Sequence, residues 1–351
     1  GFLLLGLSEV LGQGIVKTLF SGNQAYFNVT VLTILFASRI LDGLTGGNIS
    51  VAQAYISDVT DESNRAQGLG LIGAAFGLGF IMGPVIGGSL YAIRQPMPDY
   101  AAAALALVNF VAVFLFLPES LTPAQRTELA DQKQPLIDLH GLANSFRRPR
   151  VGPLFTVRFF FGMAFSTFIT IFSLYAAGKP LQLSAQQTGY VLGYVGVLAA
   201  LVQGVVVGRL AKRFTDYRLI LGMSMLMAVS LLAWAFIPNL IWLIIVLAPL
   251  SLAGGTLNTI INTALTKAVT PAEIGGALGI SASLESITRF VAPVVGGYLL
   301  GAFGPMAPGF FTFFIMAGVV IFTWRRLIVS PDPPLQQPPA TTEETELVTA
   351  H

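Results

Sequence analysis

Between residues 31 and 328 the chain reads as nine apolar runs, near 31–56, 67–92, 100–117, 152–177, 187–209, 218–237, 240–266, 275–303 and 306–328. Each is long enough to cross a hydrocarbon core as a helix of about 20 residues. A water-soluble core has no use for so many in succession. Only 10% of the residues are charged, against about 25% in an ordinary globular domain. The expected fold class is therefore an all-α, multi-pass membrane protein. Residues 1–7 form an apolar stub with neither an initiator Met nor a basic n-region, which reads as the end of a helix rather than a signal peptide. Residues 8–28 read as a long external loop. With no Cys and two His, thiolate metal sites are excluded and neither a metal nor a cofactor is expected.

Orientation follows from the basic residues between the runs. One set of loops holds Arg65, Arg126, Lys133, Arg147, Arg148, Arg150, Arg209, Lys212, Arg213, Arg218, Lys267, Arg325 and Arg326, whereas the alternate loops hold Lys17, Arg94 and Lys179. The first set is the cytoplasmic side. The net charge of +2 is thus a signal of topology in the bilayer. It carries no nucleic-acid meaning, because the basic residues are scattered among loops without an aromatic platform.

The run at 67–92 contains Gly70, Gly79 and then Gly83-Pro84-Val85-Ile86-Gly87-Gly88. On a helix Ala75, Gly79, Gly83 and Gly87 make one smooth stripe, where a neighbouring backbone can approach closely. Pro84 withdraws the hydrogen bond to the carbonyl of Phe80 and bends the rod. The design recurs: Gly70, Pro84, Gly87 and Gly88 reappear as Gly279, Pro293, Gly296 and Gly297, 209 residues on, and Gly46-Gly47 reappears as Gly254-Gly255. Two parallel copies of one helical unit are expected. They would lie at 1–118 and 151–328, joined by a polar cytoplasmic connector at 119–150 and followed by a disordered Pro/Thr/Glu-rich tail at 329–351.

The spacing G-x8-G-x3-G-P-x2-G-G resembles the fifth-helix signature of the major facilitator superfamily, in its drug:proton antiporter branch of the tetracycline-efflux type. The resemblance covers essentially residues 1–328. It implies two six-helix bundles, of which the first two helices and most of the third would be missing here. Arg39-Ile40-Leu41-Asp42-Gly43-Leu44-Thr45-Gly46-Gly47 matches the family's fourth-helix pattern R-x3-G-x3-G. Arg39 would lie about 12 Å down its helix axis, and the resemblance implies that it takes part in proton coupling. A structural ion pair with Asp42, three residues on, is the other reading.

A second charged site is Ser281, Glu285 and Arg289, spaced by four on one helix face. Intramembrane charges are functional by default, and a mid-membrane carboxylate can exchange a proton; a salt bridge that merely holds the helix is the alternative. Asn48, Gln53, Asn258 and Asn262 can hydrogen-bond a substrate, or can equally be interhelical glue. Gly208-Arg209-Leu210-Ala211-Lys212-Arg213-Phe214 is a degenerate echo of the family's cytoplasmic motif, with Lys212 where the pattern has Asp. With Asp58 and Arg65, which match a D-x6-R arrangement, Arg209 and Arg213 are the residues the resemblance implies for a cytoplasmic gate. Asp58, Asp61, Glu62 and Arg65 otherwise read as a solvated turn.

Gly68-Leu69-Gly70-Leu71-Ile72-Gly73 satisfies a dinucleotide fingerprint, yet no strand precedes it and it belongs to helix packing. No nucleophile elbow or phosphate loop occurs, so an enzyme is not expected. The resemblance implies a monomeric transporter of the cell membrane that exports a small amphipathic substrate bound between its halves, by alternating access, against protons. Transport of a metabolite such as a sugar, and a transporter-like receptor or scaffold that moves nothing, remain as alternatives.

Overall fold

The computed structural model describes residues 1–19, 23–44, 51–52, 55–56, 59–60, 62–119, 148–269 and 273–329. These residues contain helices and no strand. Seven of the helices are long and apolar enough to span a membrane, and a further apolar stretch is Gly77–Ile93. The chain divides into two compact units, Gly1–Leu136 with Gln182–Ala200, and Ile137–Leu181 with Leu201–His351.

The first unit begins with α1 (Phe2–Gly6) and α2 (Ser8–Leu19). Residues 8–19 are therefore helical and not part of the external loop expected over 8–28. Ser8, Gly12 and Val16 fall four apart and are buried, so this polar-looking stretch carries one smooth helix face. A Cβ on Gly12 would stand 2.7 Å from Val31 of the neighbouring helix. Glu9 in the first turn and Lys17 in the last suit the helix dipole. Across Leu7 the i to i−4 bonds continue on both sides, from Leu7 N to Leu3 O and from Leu11 N to Leu7 O, so residues 2–19 run as one nearly continuous rod.

After a 3-10 turn at Gln24–Tyr26 come α3 (Phe27–Leu44), α4 (Glu62–Ile93) and α5 (Met97–Phe116). Tyr100 on α5 donates its hydroxyl to the carbonyl of Gly6, 3.0 Å away, which ties α5 to the α1 end of the rod. Large apolar side chains along α5 are exposed, Phe114 at 79% and Phe116 at 81%. A helix that shows such residues outward is built for hydrocarbon rather than water.

The first unit also takes in α7 (Ala185–Leu201). Here α4 and α7 meet backbone to backbone: a Cβ on Gly189 would lie 2.3 Å from the carbonyl oxygen of Pro84, and one on Gly88 would lie 2.7 Å from that of Ala185. This contact uses a different edge of α4 from the expected stripe. Among the described residues nothing lies within 4 Å of a Cβ on Gly79, Gly83 or Gly87; the edge that meets a neighbour runs through Ile81, Pro84, Val85 and Gly88.

In the second unit α6 (Val151–Ala177) is largely buried. A π-helical segment, Val202–Val206, leads into α8 (Val207–Arg213); α9 (Asp216–Ala235), α10 (Leu240–Lys267), α11 (Ile274–Phe303) and α12 (Ala307–Thr323) complete the unit, and a second π segment, Trp324–Val329, ends it. Trp234 of α9 is fully buried, edge-on to Phe168 at 5.1 Å between ring centres and beside Tyr175 at 4.9 Å. Tyr175 donates its hydroxyl to the Trp234 backbone carbonyl, which satisfies the one polar atom of the tyrosine ring; Trp234 Nε1 has no partner among the described residues. The connector from 120 to 147 and the tail from 330 lie outside the described residues.

Candidate functional site

Two glycines set α6 against α11. A Cβ on Gly162 would stand 2.9 Å from the Thr288 hydroxyl, and one on Gly296 would stand 2.5 Å from Ile171. Gly162 lies one turn beyond Arg158 on the same face of α6, while Thr288 sits between Glu285 and Arg289. The contact that brings the helices together therefore delivers Arg158 to Glu285.

Arg158 is 4% exposed and pairs through Nη2 with Oε2 of Glu285. Its Nη1 donates to Oδ1 of Asn258 on α10, 2.6 Å away. From the same helix as Glu285, Arg289 donates through Nη2 to Oε1 at 2.5 Å. One carboxylate thus bridges two guanidiniums, one buried and one 71% exposed. Arg158 also lies over the ring of Phe161 at 6.0 Å, and its Nε is buried without a hydrogen-bond partner. Beside this group, Ser281 donates to Oδ1 of Asn262 at 3.0 Å.

The sequence pattern brought Glu285 and Arg289 together correctly as an i, i+4 pair. It missed Arg158, a residue 127 positions from Glu285, whose signal was an arginine inside an apolar run. Of the residues expected to contact substrate, Asn258 is held by Arg158 and Asn262 by Ser281. Asn48, Gln53, Gly46, Gly47 and Asp58 lie outside the described residues. Arg65 and Gly70 are on α4.

In the first unit Arg39 and Asp42 form the expected i, i+3 pair at 2.6 Å. Arg39 also reaches the buried Ser38 hydroxyl at 3.4 Å and covers the Phe2 ring at 5.9 Å. A Cβ on Gly43 would meet nothing within 4 Å. Arg209 and Arg213 are exposed on α8, and Arg213 lies 5.9 Å over the Phe214 ring. The ion pairs seen at helix ends of the second unit are different ones, Lys267 with Asp216 at 2.8 Å and Arg148 with Glu273 at 2.9 Å.

Pro293, the repeat counterpart of Pro84, lies inside α11. The two copies use their glycine pairs differently: Gly88 makes the close approach in the first, whereas Gly296 makes it in the second and Gly297 meets nothing within 4 Å.

A family model described as Major Facilitator Superfamily matches residues 2–248 and 154–350. The chain belongs to that superfamily. It is accordingly a multi-pass membrane transporter and not an enzyme. Solute carrier family 22 member 18 of Mus musculus is 31% identical over 298 residues, covering 84% of this chain and 72% of the relative. The class C tetracycline resistance protein of Escherichia coli is 32% identical over 276 residues, covering 76% of this chain and 66% of the relative. The crystal structure of the human organic anion transporter MFSD10 (TETRAN) superposes with a TM-score of 0.59 at 22% identity, covering 92% of this chain and 76% of that one. That likeness is one of fold.

Proposed function

We propose that this major facilitator exports small amphipathic compounds in exchange for protons. The observation that carries the reading is ionic: Asp42, in the last turn of α3, pairs with Arg39, and Glu285, inside the membrane-spanning α11, is held by two arginines. A carboxylate that far from water is retained where it does something. In this reading the arginine partners hold the ionised carboxylate, and coupling requires substrate or proton to compete for that pair. Arg39–Asp42 is the pair assigned to proton exchange first, and Glu285 with Arg289 second. The export half of the reading is supported by similarity to proteins named for tetracycline and multidrug resistance. The solute-carrier names of other relatives favour a second reading, transport of a metabolite.

The same reading places the protein as a monomer in the cell membrane. Its connector at 119–150 and tail at 329–351 face the cytoplasm, and its halves at 1–118 and 151–328 alternate in access. Asp58, Arg65, Arg209 and Arg213 are proposed as gate residues, and Asn48, Gln53, Asn258 and Asn262 as substrate contacts.

In proteoliposomes, an imposed pH gradient should drive substrate movement by the unsubstituted protein. Glu285→Gln, which mimics a permanently protonated carboxyl, should keep substrate binding and lose at least part of that drive; Arg39→Gln should lose more. If both variants keep full pH-gradient drive, neither pair handles the coupling proton and both are structural.

A further inference from the structure

The membrane-spanning helices of the second unit contain three charged residues away from their ends: Arg158 on α6, and Glu285 and Arg289 on α11. α9, α10 and α12 bring none to that depth; their charges are Asp216, Arg218 and Lys267, all at helix ends. The group is therefore one positive charge in excess. A guanidinium without its own counter-charge at such depth is expensive.

The hydrogen bonds add a second, independent asymmetry. Both Glu285 oxygens are taken, one by each arginine. Asn258 Oδ1 accepts from Arg158, and since a guanidinium can only donate, the amide nitrogen of Asn258 must be the end left over. Asn262 Oδ1 accepts from Ser281, which leaves its amide nitrogen as well. Arg289 spends one nitrogen on Glu285, and among the described residues its other donors have no protein partner. Asn258 and Arg289 are exposed and Asn262 is partly so. The free nitrogens on this patch are thus all donors, and the patch carries one net positive charge.

We infer that this patch is a binding site for the anionic headgroup of an amphipathic ligand, a carboxylate or sulfonate, with Arg289 as its charge partner and the amide nitrogens of Asn258 and Asn262 as neutral donors. Glu285 is the internal counter-anion of the empty site. When a ligand anion takes Arg289, Glu285 stays with the buried Arg158, so no carboxylate is stranded. The inference deepens the transport reading by naming the substrate's charge, and it rests on that reading only in treating the patch as part of the substrate's path.

The test uses three dansyl amides of one scaffold, made from taurine (an anionic sulfonate), ethanolamine (neutral) and cadaverine (cationic). Their equilibrium binding is measured on the purified protein in lipid nanodiscs, and their transport in proteoliposomes. The sulfonate should bind at least about tenfold tighter than the neutral amide, about 1.4 kcal/mol, and the cation weakest. Arg289→Gln should abolish the preference, bringing sulfonate affinity down to about that of the neutral amide. Glu285→Gln should tighten sulfonate binding, because the competing carboxylate is gone, which a merely fold-holding salt bridge would not do. Equal affinities for the three dyes, or a preference for the cation, overturn the inference, as does an unchanged sulfonate preference in well-folded Arg289→Gln. Charge-selective binding with no dye transported would instead count against the export reading and leave the site standing.

Discussion

Arg158 spends both terminal nitrogens on side chains of other helices, Asn258 on α10 and Glu285 on α11, while 4% exposed. Removing it leaves Glu285 with the exposed Arg289 alone and frees the oxygen of Asn258, so the loss should be part of the about 3–5 kcal/mol that breaking a fully buried pair costs. Arg289 makes a similar bond to the same carboxylate but is mostly exposed, so its loss should cost about 1 kcal/mol or less. Arg158→Leu is therefore expected to lower folded abundance and thermal midpoint far more than Arg289→Gln, as read by fluorescence-detected gel filtration after heating. Adding Glu285→Gln to Arg158→Leu should recover part of the loss. Equal stability of the two single variants would show that Arg158 does not anchor Glu285. The pairing of Glu285 with Arg289 could be read from a spacing of four; that with Arg158 could not, since periodicity says nothing about partners on a different helix.

At the scale of helices, the decisive positions are the glycines where backbones meet. Gly88 and Gly189 hold α4 against α7, and Gly162 holds α6 against α11. A methyl group on Gly189 would have to occupy space 2.3 Å from the Pro84 carbonyl, and backbone cannot yield cheaply there. Overpacking of this kind costs about 1–3 kcal/mol. Gly189→Ala should lower the thermal midpoint and transport together. Gly83→Ala, with open space around it, should be neutral, or slightly stabilising because Ala is the better helix former. A stability loss for Gly83→Ala as large as for Gly189→Ala would restore the Gly79, Gly83, Gly87 stripe as the packing face. The glycine repeat announced that close approaches exist. Which glycine of each pair makes the approach depends on how each helix is rotated, and the two copies differ in that.

For the whole molecule, the basic residues predict sidedness, and the absence of cysteine makes it simple to measure. Single cysteines introduced as Lys133→Cys and Arg213→Cys should react with an impermeant maleimide from the cytoplasmic side only. Arg94→Cys and Lys179→Cys should react only from outside. Labelling of Lys133→Cys and Lys179→Cys from the same side would overturn the topology.

Run length and composition alone determined that this chain is a bundle of membrane helices, because each run must satisfy its own backbone in lipid and only a helix does so within one segment. Local spacing determined its pairs as well: Arg39 with Asp42, and Glu285 with Arg289. The helix at 8–19 read as a loop, because Ser8, Glu9, Gln13 and Lys17 dilute its hydropathy, and its burial comes from a smooth face meeting α3. Only the tertiary structure put Arg158 on Glu285 and turned Asn258 so that its amide nitrogen faces out. Both depend on the depth and rotation at which α6, α10 and α11 lock together, and those are set by side-chain volumes at the helix contacts.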